Sequence, residues 1–245
     1  MNSLRQCAFL VGGLGTRMGA LTAETPKPLL DSGDHPFLAW VLRELARFGF
    51  EEIVLLSGYK SERVEDFRHQ LVSTLPKPLL IKISIELMRA GTGGAVWHAR
   101  HLLDDHFLLM NGDSWIDTDL GRFLANAQQA QLPGYVLLRA MQDSARYGTV
   151  KLRGNRVEAF HEKSSRQGAG LINGGIYALA STSARVSLPE LLAGTGSSAP
   201  VGRARAIGRR SLRWLFHRHR NSRRLCPRRS GTAATAVAAS CLLLC

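Results

Sequence analysis

Ala8-Phe9-Leu10-Val11-Gly12-Gly13-Leu14-Gly15-Thr16-Arg17-Met18, followed by Pro26-Lys27-Pro28, is the stretch on which the fold turns. An apolar run breaks into three glycines within four positions, so a buried strand ends in a loop with bare backbone. Such a loop can turn consecutive N–H groups toward an anion, because no Cβ blocks the approach. Arg17 and Lys27 add two cations beside it, as a triphosphate and a second phosphate would require. A glycine-rich loop alone also fits an ordinary tight turn. The spacing to Gly15-Thr16-Arg17 and Pro26-Lys27-Pro28 is what carries the phosphate reading.

Outward from this loop, short apolar runs alternate with helical patterns. Residues 6–11 read as a buried strand, and 37–48 as an amphipathic helix with apolar positions 37, 38, 41, 42, 45 and 48. Strands are expected over 52–57, 79–87, 106–110 and 134–140, with helices over 61–71, 93–103 and 119–131. A hairpin follows (147–153 and 156–162, turning at Gly154-Asn155), then a strand over 174–179. Strand–helix alternation predicts an α/β fold with a mainly parallel sheet and ligand loops at the carboxyl ends of strands. The glycine loop and Asn111-Gly112-Asp113 both fall at such ends.

The bulk numbers narrow the function. The chain has 245 residues and a formal charge of +13, which resembles a nucleic-acid binder until it is mapped. Eleven of the 32 Lys and Arg residues lie in 201–229, and no Asp or Glu follows Glu190. The first 200 residues hold 21 basic against 19 acidic side chains, the balance of an ordinary enzyme domain. No apolar run is long enough to span a bilayer, and the first residues lack a signal-peptide core. Cys7, Cys226, Cys241 and Cys245 show neither zinc nor disulfide spacing, so the expected home is the cytoplasm. The histidines at 35, 69, 98, 101, 106 and 161 show no ligand spacing.

Several further groups are chemically loaded. Asp113, delivered to a sheet edge by Phe107–Met110, suits a hard cation that takes one or two carboxylates plus phosphate oxygens; a turn aspartate fits these residues equally well. Asp119 reads as the cap of the next helix. Gly91-Thr92-Gly93-Gly94 is either a close-approach wall for a nucleobase or ribose, or a plain strand-to-helix turn. Glu162-Lys163 offers a hydroxyl acceptor and a phosphate partner, or a solvated charge pair. Asn173-Gly174-Gly175 presents an amide and bare backbone to a hydroxylated ring, or forms a bulge.

The ordered set V-G-G-L-G-T-R-M, P-K-P, G-T-G-G, N-G-D, F-H-E-K and N-G-G-I-Y resembles the sugar-1-phosphate nucleotidylyltransferases. Met110–Ser114, Arg146–Gly148 and Leu171–Tyr177 are most similar to the D-glycero-D-manno-heptose 1-phosphate guanylyltransferase type. The resemblance covers residues 5–179, departing slightly at Val11 and Met18. It implies a Rossmann-like mixed sheet flanked by helices, of the nucleotide-diphospho-sugar transferase type. It also implies that a sugar 1-phosphate attacks the α-phosphorus of a nucleoside triphosphate, GTP favoured. The products are an NDP-sugar, for cell-surface polysaccharide or glycan precursors, and pyrophosphate. Arg17, Lys27 and Asp113 would be the catalytic set, with Asp113 holding Mg²⁺. Gly12, Gly13, Gly15, Thr16, Arg17, Gly91 and Thr92 would bind the nucleotide. Gly148, Glu162, Lys163, Asn173 and Gly174 would bind the sugar phosphate. No nucleic acid or membrane partner is expected, and the oligomeric state is not legible. The alternatives are a non-catalytic binder of the same ligands, or a nucleic-acid binder acting through the Arg-rich tail.

The family's closing strand, of the form F-I-D-I-G-x-P-x-D-Y, supplies a second metal carboxylate and has no counterpart in the written frame. Phe216-His217-Arg218-His219-Arg220-Asn221-Ser222 can be encoded as TTY CAY CGN CAY CGN AAY TCN. Read one base later, these codons permit F-I-D-I-G-I-P, preceded by D-G-Y and followed by E-D-Y-A-R. The expectation is therefore a catalytic domain over 1–179. Residues 180–245 would be an irregular, poorly ordered basic tail, out of frame from somewhere between residues 179 and 212. Weak or no turnover, with nucleotide binding partly retained, would follow.

Overall fold

The computed structural model describes residues 4–13, 15–72, 75, 78–88, 90–130, 132–145, 147–161, 168–181 and 214–219, with backbone alone for Thr16, Arg17, Val72 and 214–219. Strand β1 (Gln6–Leu10) leads through the glycine loop into a 3-10 turn at Thr16–Thr22 and another at Lys27–Leu29. A two-residue ribbon, β2 (Asp31–Ser32) and β3 (His35–Pro36), precedes helix α1 (Phe37–Arg47). Then come β4 (Glu52–Ser57), α2 (Ser61–Val72), β5 (Leu80–Ile85), α3 (Gly91–His98) and β6 (His106–Asn111). Helix α4 (Leu120–Ala130), β7 (Gly134–Met141), β8 (Thr149–Arg153), β9 (Arg156–His161), β10 (Gly170–Ala180) and β11 (Trp214–His219) complete the series.

The main sheet runs β11-β7-β10-β6-β1-β4-β5, with the β8–β9 hairpin branching from β10. β6, β1, β4 and β5 are mutually parallel, while β10 runs antiparallel to both β6 and β7. The expected mixed, mainly parallel sheet flanked by helices is thus the fold observed. Alternating side chains explain why it has helices on both faces. Cys7, Phe9, Ile53, Leu55, Leu108 and Met110 join α1, α2 and α4 on one face. Ala8, Val54, Leu56, Phe107 and Leu109 join Ala95, Val96 and Ala99 of α3 and its extension on the other. Each fully buried Phe or Leu here contributes roughly 1.5–3 kcal/mol.

Local signals set the helix ends. Pro36 precedes α1 in extended geometry, and Gly49 with φ 88° follows it. The Arg122 N–H donates to Asp119 Oδ1 at 2.9 Å, so Asp119 caps α4 as expected. Among the described residues no helix is long and apolar enough to cross a membrane.

Several boundaries depart from the sequence reading, α3 ending at His98 among them, and three departures bear on the sheet edge. β5 ends at Ile85, which leaves Glu86 in the loop at the sheet's carboxyl edge. Helix α3 starts at Gly91, two residues earlier than expected, because Gly91 at φ 71° makes the turn and the helix follows at once. β10 begins at Gly170, since pairing with β7 and β8 continues upstream of the glycines. Its register against β7 then shifts between Asn173 and Tyr177, which disguised one long strand as a short one.

Candidate active site

Glycines without room for a Cβ draw the carboxyl ends of the strands into one edge. A Cβ on Gly12 would lie 2.9 Å from Gly58 N, so the β1 and β4 ends pack backbone to backbone. Gly13 faces open space, with nothing within 4 Å of its Cβ position. Gly15 (φ 61°) opens the 3-10 turn that carries Thr16 and Arg17, whose side chains lie outside the described atoms. Glu86 flanks the same edge. Its N–H donates to Ser57 O at 2.9 Å, and a Cβ on Gly58 would approach its Cγ to 3.2 Å. Sequence reasoning missed Glu86 because an overlong β5 hid it; the only signal was the polar break after Ile85.

The second loop is fitted to the first through Gly112. Its N–H donates to Leu10 O at 3.1 Å, and a Cβ there would lie 2.8 Å from that oxygen and 2.9 Å from Val11 Cγ1. Pro28 Cγ stands 3.2 Å from the same point, so the Lys27–Leu29 turn is packed onto the Asn111-Gly112-Asp113 turn. The result joins two residues far apart in sequence: Lys27 Nζ donates to Asp113 Oδ2 at 2.8 Å. Both side chains are partly open, at 26% and 40% exposure, so this pair is worth no more than about 1 kcal/mol to the fold. Its use is to poise a carboxylate and an ammonium at the sheet edge. Gly112→Ala is expected to cost about 1–3 kcal/mol, as the Cβ pushes the two turns apart. An unchanged urea midpoint would contradict that packing.

On the other flank, Gly175 (φ 71°) lies against Asn111, and a Cβ there would be 2.7 Å from Asn111 Nδ2. Gly174 is wedged between Leu137 O and Ile116 Cδ1, at 2.8 and 2.9 Å from its Cβ position. The bulge reading of Asn173-Gly174-Gly175 thus describes the backbone. The Asn173 amide serves it, with Oδ1 accepting from Gly175 N–H at 2.9 Å and Nδ2 donating to the Tyr177 hydroxyl. Gly148 packs on the hairpin, 2.9 Å from His161 O at its Cβ position. Gly91 and Thr92 form the first turn of α3. Glu162 and Lys163 lie outside the described residues. Cys7 is core: it is fully buried, and burial pushes its thiol well up.

Tyr177 makes the bulge testable. Burial pushes its phenol up to about 12, only partly opposed by the Asn173 donation. Because the folded value lies above the unfolded one, this stabilisation is complete below about pH 10 and lost as pH rises from there toward about 12. At most about 3 kcal/mol is at stake. Tyr177→Phe should therefore lose less stability than the parent between pH 9 and about 11. Parallel melting curves for the two chains would contradict it.

The edge combines an exposed glycine backbone, the Lys27–Asp113 pair and the Glu86 carboxylate, with a second glycine-lined surface across β6 and β10. Among the described residues no group of three or more His, Cys, Asp or Glu could hold a metal by itself. A model of the nucleotidyl transferase family matches residues 8–194. D-glycero-alpha-D-manno-heptose 1-phosphate guanylyltransferase of Campylobacter jejuni is 35% identical over 176 residues, 71% of this chain and 75% of that protein. The enzyme of the same description from Aneurinibacillus thermoaerophilus is 34% identical, over 70% of this chain and 73% of its own length. Among solved structures, HddC from Yersinia pseudotuberculosis shares the fold at a TM-score of 0.69 and 24% identity, covering 88% of this chain and 90% of that one.

Proposed function

This chain belongs to the nucleotidyl transferase family, and we propose that its sheet edge joins a nucleoside triphosphate to a sugar 1-phosphate. The observation that carries this reading is the Lys27–Asp113 pair, held by Gly112 directly beside the end of β1. An oxygen of the sugar phosphate forms a bond to the α-phosphorus, the bond from that phosphorus to the β-phosphate oxygen breaks, and pyrophosphate leaves with the electron pair. The chemistry depends on positioning and charge neutralisation. Gly12, Gly13 and Gly15 present backbone to the triphosphate, Arg17 binds the departing pyrophosphate, and Lys27 bridges the α-phosphate and the attacking phosphate. Gly91 and Thr92 wall the nucleoside. Gly148, Glu162, Lys163, Asn173 and Gly174 take the sugar phosphate; with its amide engaged in the bulge, Asn173 acts by shaping that wall.

The donor set fits Mg²⁺. Asp113 already accepts a cation, the Lys27 ammonium, and a hard divalent ion takes one carboxylate with phosphate oxygens and water. Bound there, Mg²⁺ would neutralise the phosphates and hold the triphosphate to the edge. GTP with D-glycero-α-D-manno-heptose 1-phosphate is the first pair to assay, as the substrates of the bacterial relatives. Pyrophosphate release with any nucleoside triphosphate and sugar phosphate, abolished by EDTA, supports the reading. Ligand binding without release on every pair favours a non-catalytic binder.

We further infer that residues 1–179 form the catalytic unit and that the basic tail is out of frame. The change of frame lies between about residues 179 and 212 in this reading, an interval in which the family match, at residue 194, also ends. β11 runs parallel to β7 with Arg218 in register with Leu138, and Leu138 is itself in register with Asn173. β7 is parallel to β6, so the carboxyl end of β11 lies toward the same edge as Asp113. The other frame permits Asp at the Arg218 codon. In the written frame that register position is cationic, which opposes a metal instead of binding it. Resequencing the gene tests this directly, and a clean read without a one-base indel against intact relatives removes the idea. A nucleic-acid role through the tail would need salt-dependent DNA binding that truncation at residue 200 abolishes.

A further inference from the structure

We propose that Thr22 is the positioning residue of the glycine loop, its one hydroxyl holding both ends of the segment that carries Arg17. The Thr22 Oγ1 lies 3.1 Å from Gly15 O and 3.2 Å from Gly19 O, so a single proton serves two carbonyls. Those carbonyls belong to the two glycines that bracket Arg17, and both have positive φ, 61° and 55°. Each reversal in chain direction is therefore pinned to the same atom. Gly15 O also accepts the Met18 N–H at 2.9 Å, so its second acceptor position depends on Thr22.

The threonine is suited to this task in both halves of its side chain. It is 3% exposed, while Gly19, Ala20, Leu21, Ala23 and Glu24 around it are exposed. Its methyl fills the space that a Cβ on Gly15 would need, with Cγ2 2.8 Å from that point. Immediately after it, the Tyr59 hydroxyl donates to Ala23 O at 3.0 Å, and Lys60 pairs with Glu24 at 3.4 Å. The loop after β4 thus fixes the far end of the turn to the sheet, and Thr22 transfers that fixed point to Gly15 and Gly19. Glycines at 15 and 19 supply the freedom to make the turns, and the hydroxyl removes it again. Thr22 touches no ligand in this scheme. It sets where Arg17 stands, and the proposal rests on reading Gly12–Arg17 as the triphosphate cradle.

Calorimetric titration of GTP with Mg²⁺ into the full chain tests this, using Thr22→Val, Thr22→Ser, Arg17→Ala and the Thr22→Val/Arg17→Ala double variant. Thr22→Val keeps shape and deletes the hydroxyl, and it should weaken GTP by about tenfold, the scale of a buried hydrogen bond lost from under a binding loop. Thr22→Ser should stay within about threefold of the parent, and Thr22→Val should add nothing in the Arg17→Ala background. Glucose 1-phosphate, a probe for the other half of the edge, should bind all four equally. Thr22→Ala, which also lacks the hydroxyl, replaces Thr22→Val if that chain does not fold. GTP affinity unchanged in Thr22→Val while Arg17→Ala weakens it overturns the proposal and leaves the cradle standing. Full additivity, or equal loss for GTP and glucose 1-phosphate, assigns Thr22 a merely structural part. No loss in Arg17→Ala overturns the cradle reading and the proposal with it.

Discussion

A chain whose tail is rewritten in the alternative frame, so that the codons over Phe216–Ser222 read Phe-Ile-Asp-Ile-Gly-Ile-Pro, should release pyrophosphate about 10²–10³ times faster than the 245-residue chain. The expected size follows from charge. The rewritten strand exchanges a cation at the Arg218 register position for a carboxylate, on a sheet whose carboxyl edge already holds Asp113. A metal held by one carboxylate depends on phosphate oxygens and water for its remaining places, and it shifts with them. A second carboxylate fixes it before the triphosphate arrives. GTP affinity should change much less, because the glycine loop and Lys27 are the same in both chains. Equal turnover in the two chains, measured on the same substrates and Mg²⁺ concentration, would falsify the out-of-frame reading as an account of activity.

Replacing the ammonium is the second large effect. Lys27→Met in the rewritten chain should lower turnover by about 10²-fold or more, the loss typical when one preorganised charge at a transferring phosphoryl group is removed. The same change frees Asp113, which in the parent accepts the Lys27 ammonium at 2.8 Å. Mn²⁺ titrated without nucleotide should therefore bind Lys27→Met somewhat more tightly. The gain is capped near fivefold, since a pair this exposed is worth at most about 1 kcal/mol. Opposite signs in the two measurements are what distinguish a shared ammonium from a structural strut. If turnover and Mn²⁺ binding both fall together, Lys27 is holding the turn in place and not exchanging partners between carboxylate and phosphate.

Much of this molecule was legible before its structure, for reasons that differ by element. Buried parallel strands such as Gln6–Leu10 and Glu52–Ser57 are short apolar runs with polar breaks, so their existence and type are local properties. Asp119 declared itself as a cap by standing just before an amphipathic run. The limits of β10 were not local. Its first half is held by β7 and β8 and its second by β7 and β6, and the Asn-Gly-Gly that reads as a break is a bulge inside one strand. Glu86 was hidden for the same reason: where β5 stops depends on its partner β4 ending at Ser57.

What the amino-acid order alone determined is the inventory: a glycine loop after the first strand, Arg17 and Lys27 near it, Asp113 at the end of another strand, and a tail that changes character. These depend on chain chemistry and short-range spacing, which need no partner to be read. Only the tertiary structure decided which of them meet. Lys27 and Asp113 are 86 positions apart, and they touch because Gly112 has no Cβ to keep its turn off Leu10 and Pro28. Thr22 looked like any polar loop residue until folding buried it under two glycine carbonyls. Close packing between segments distant in sequence selects such pairs, and no local pattern records it.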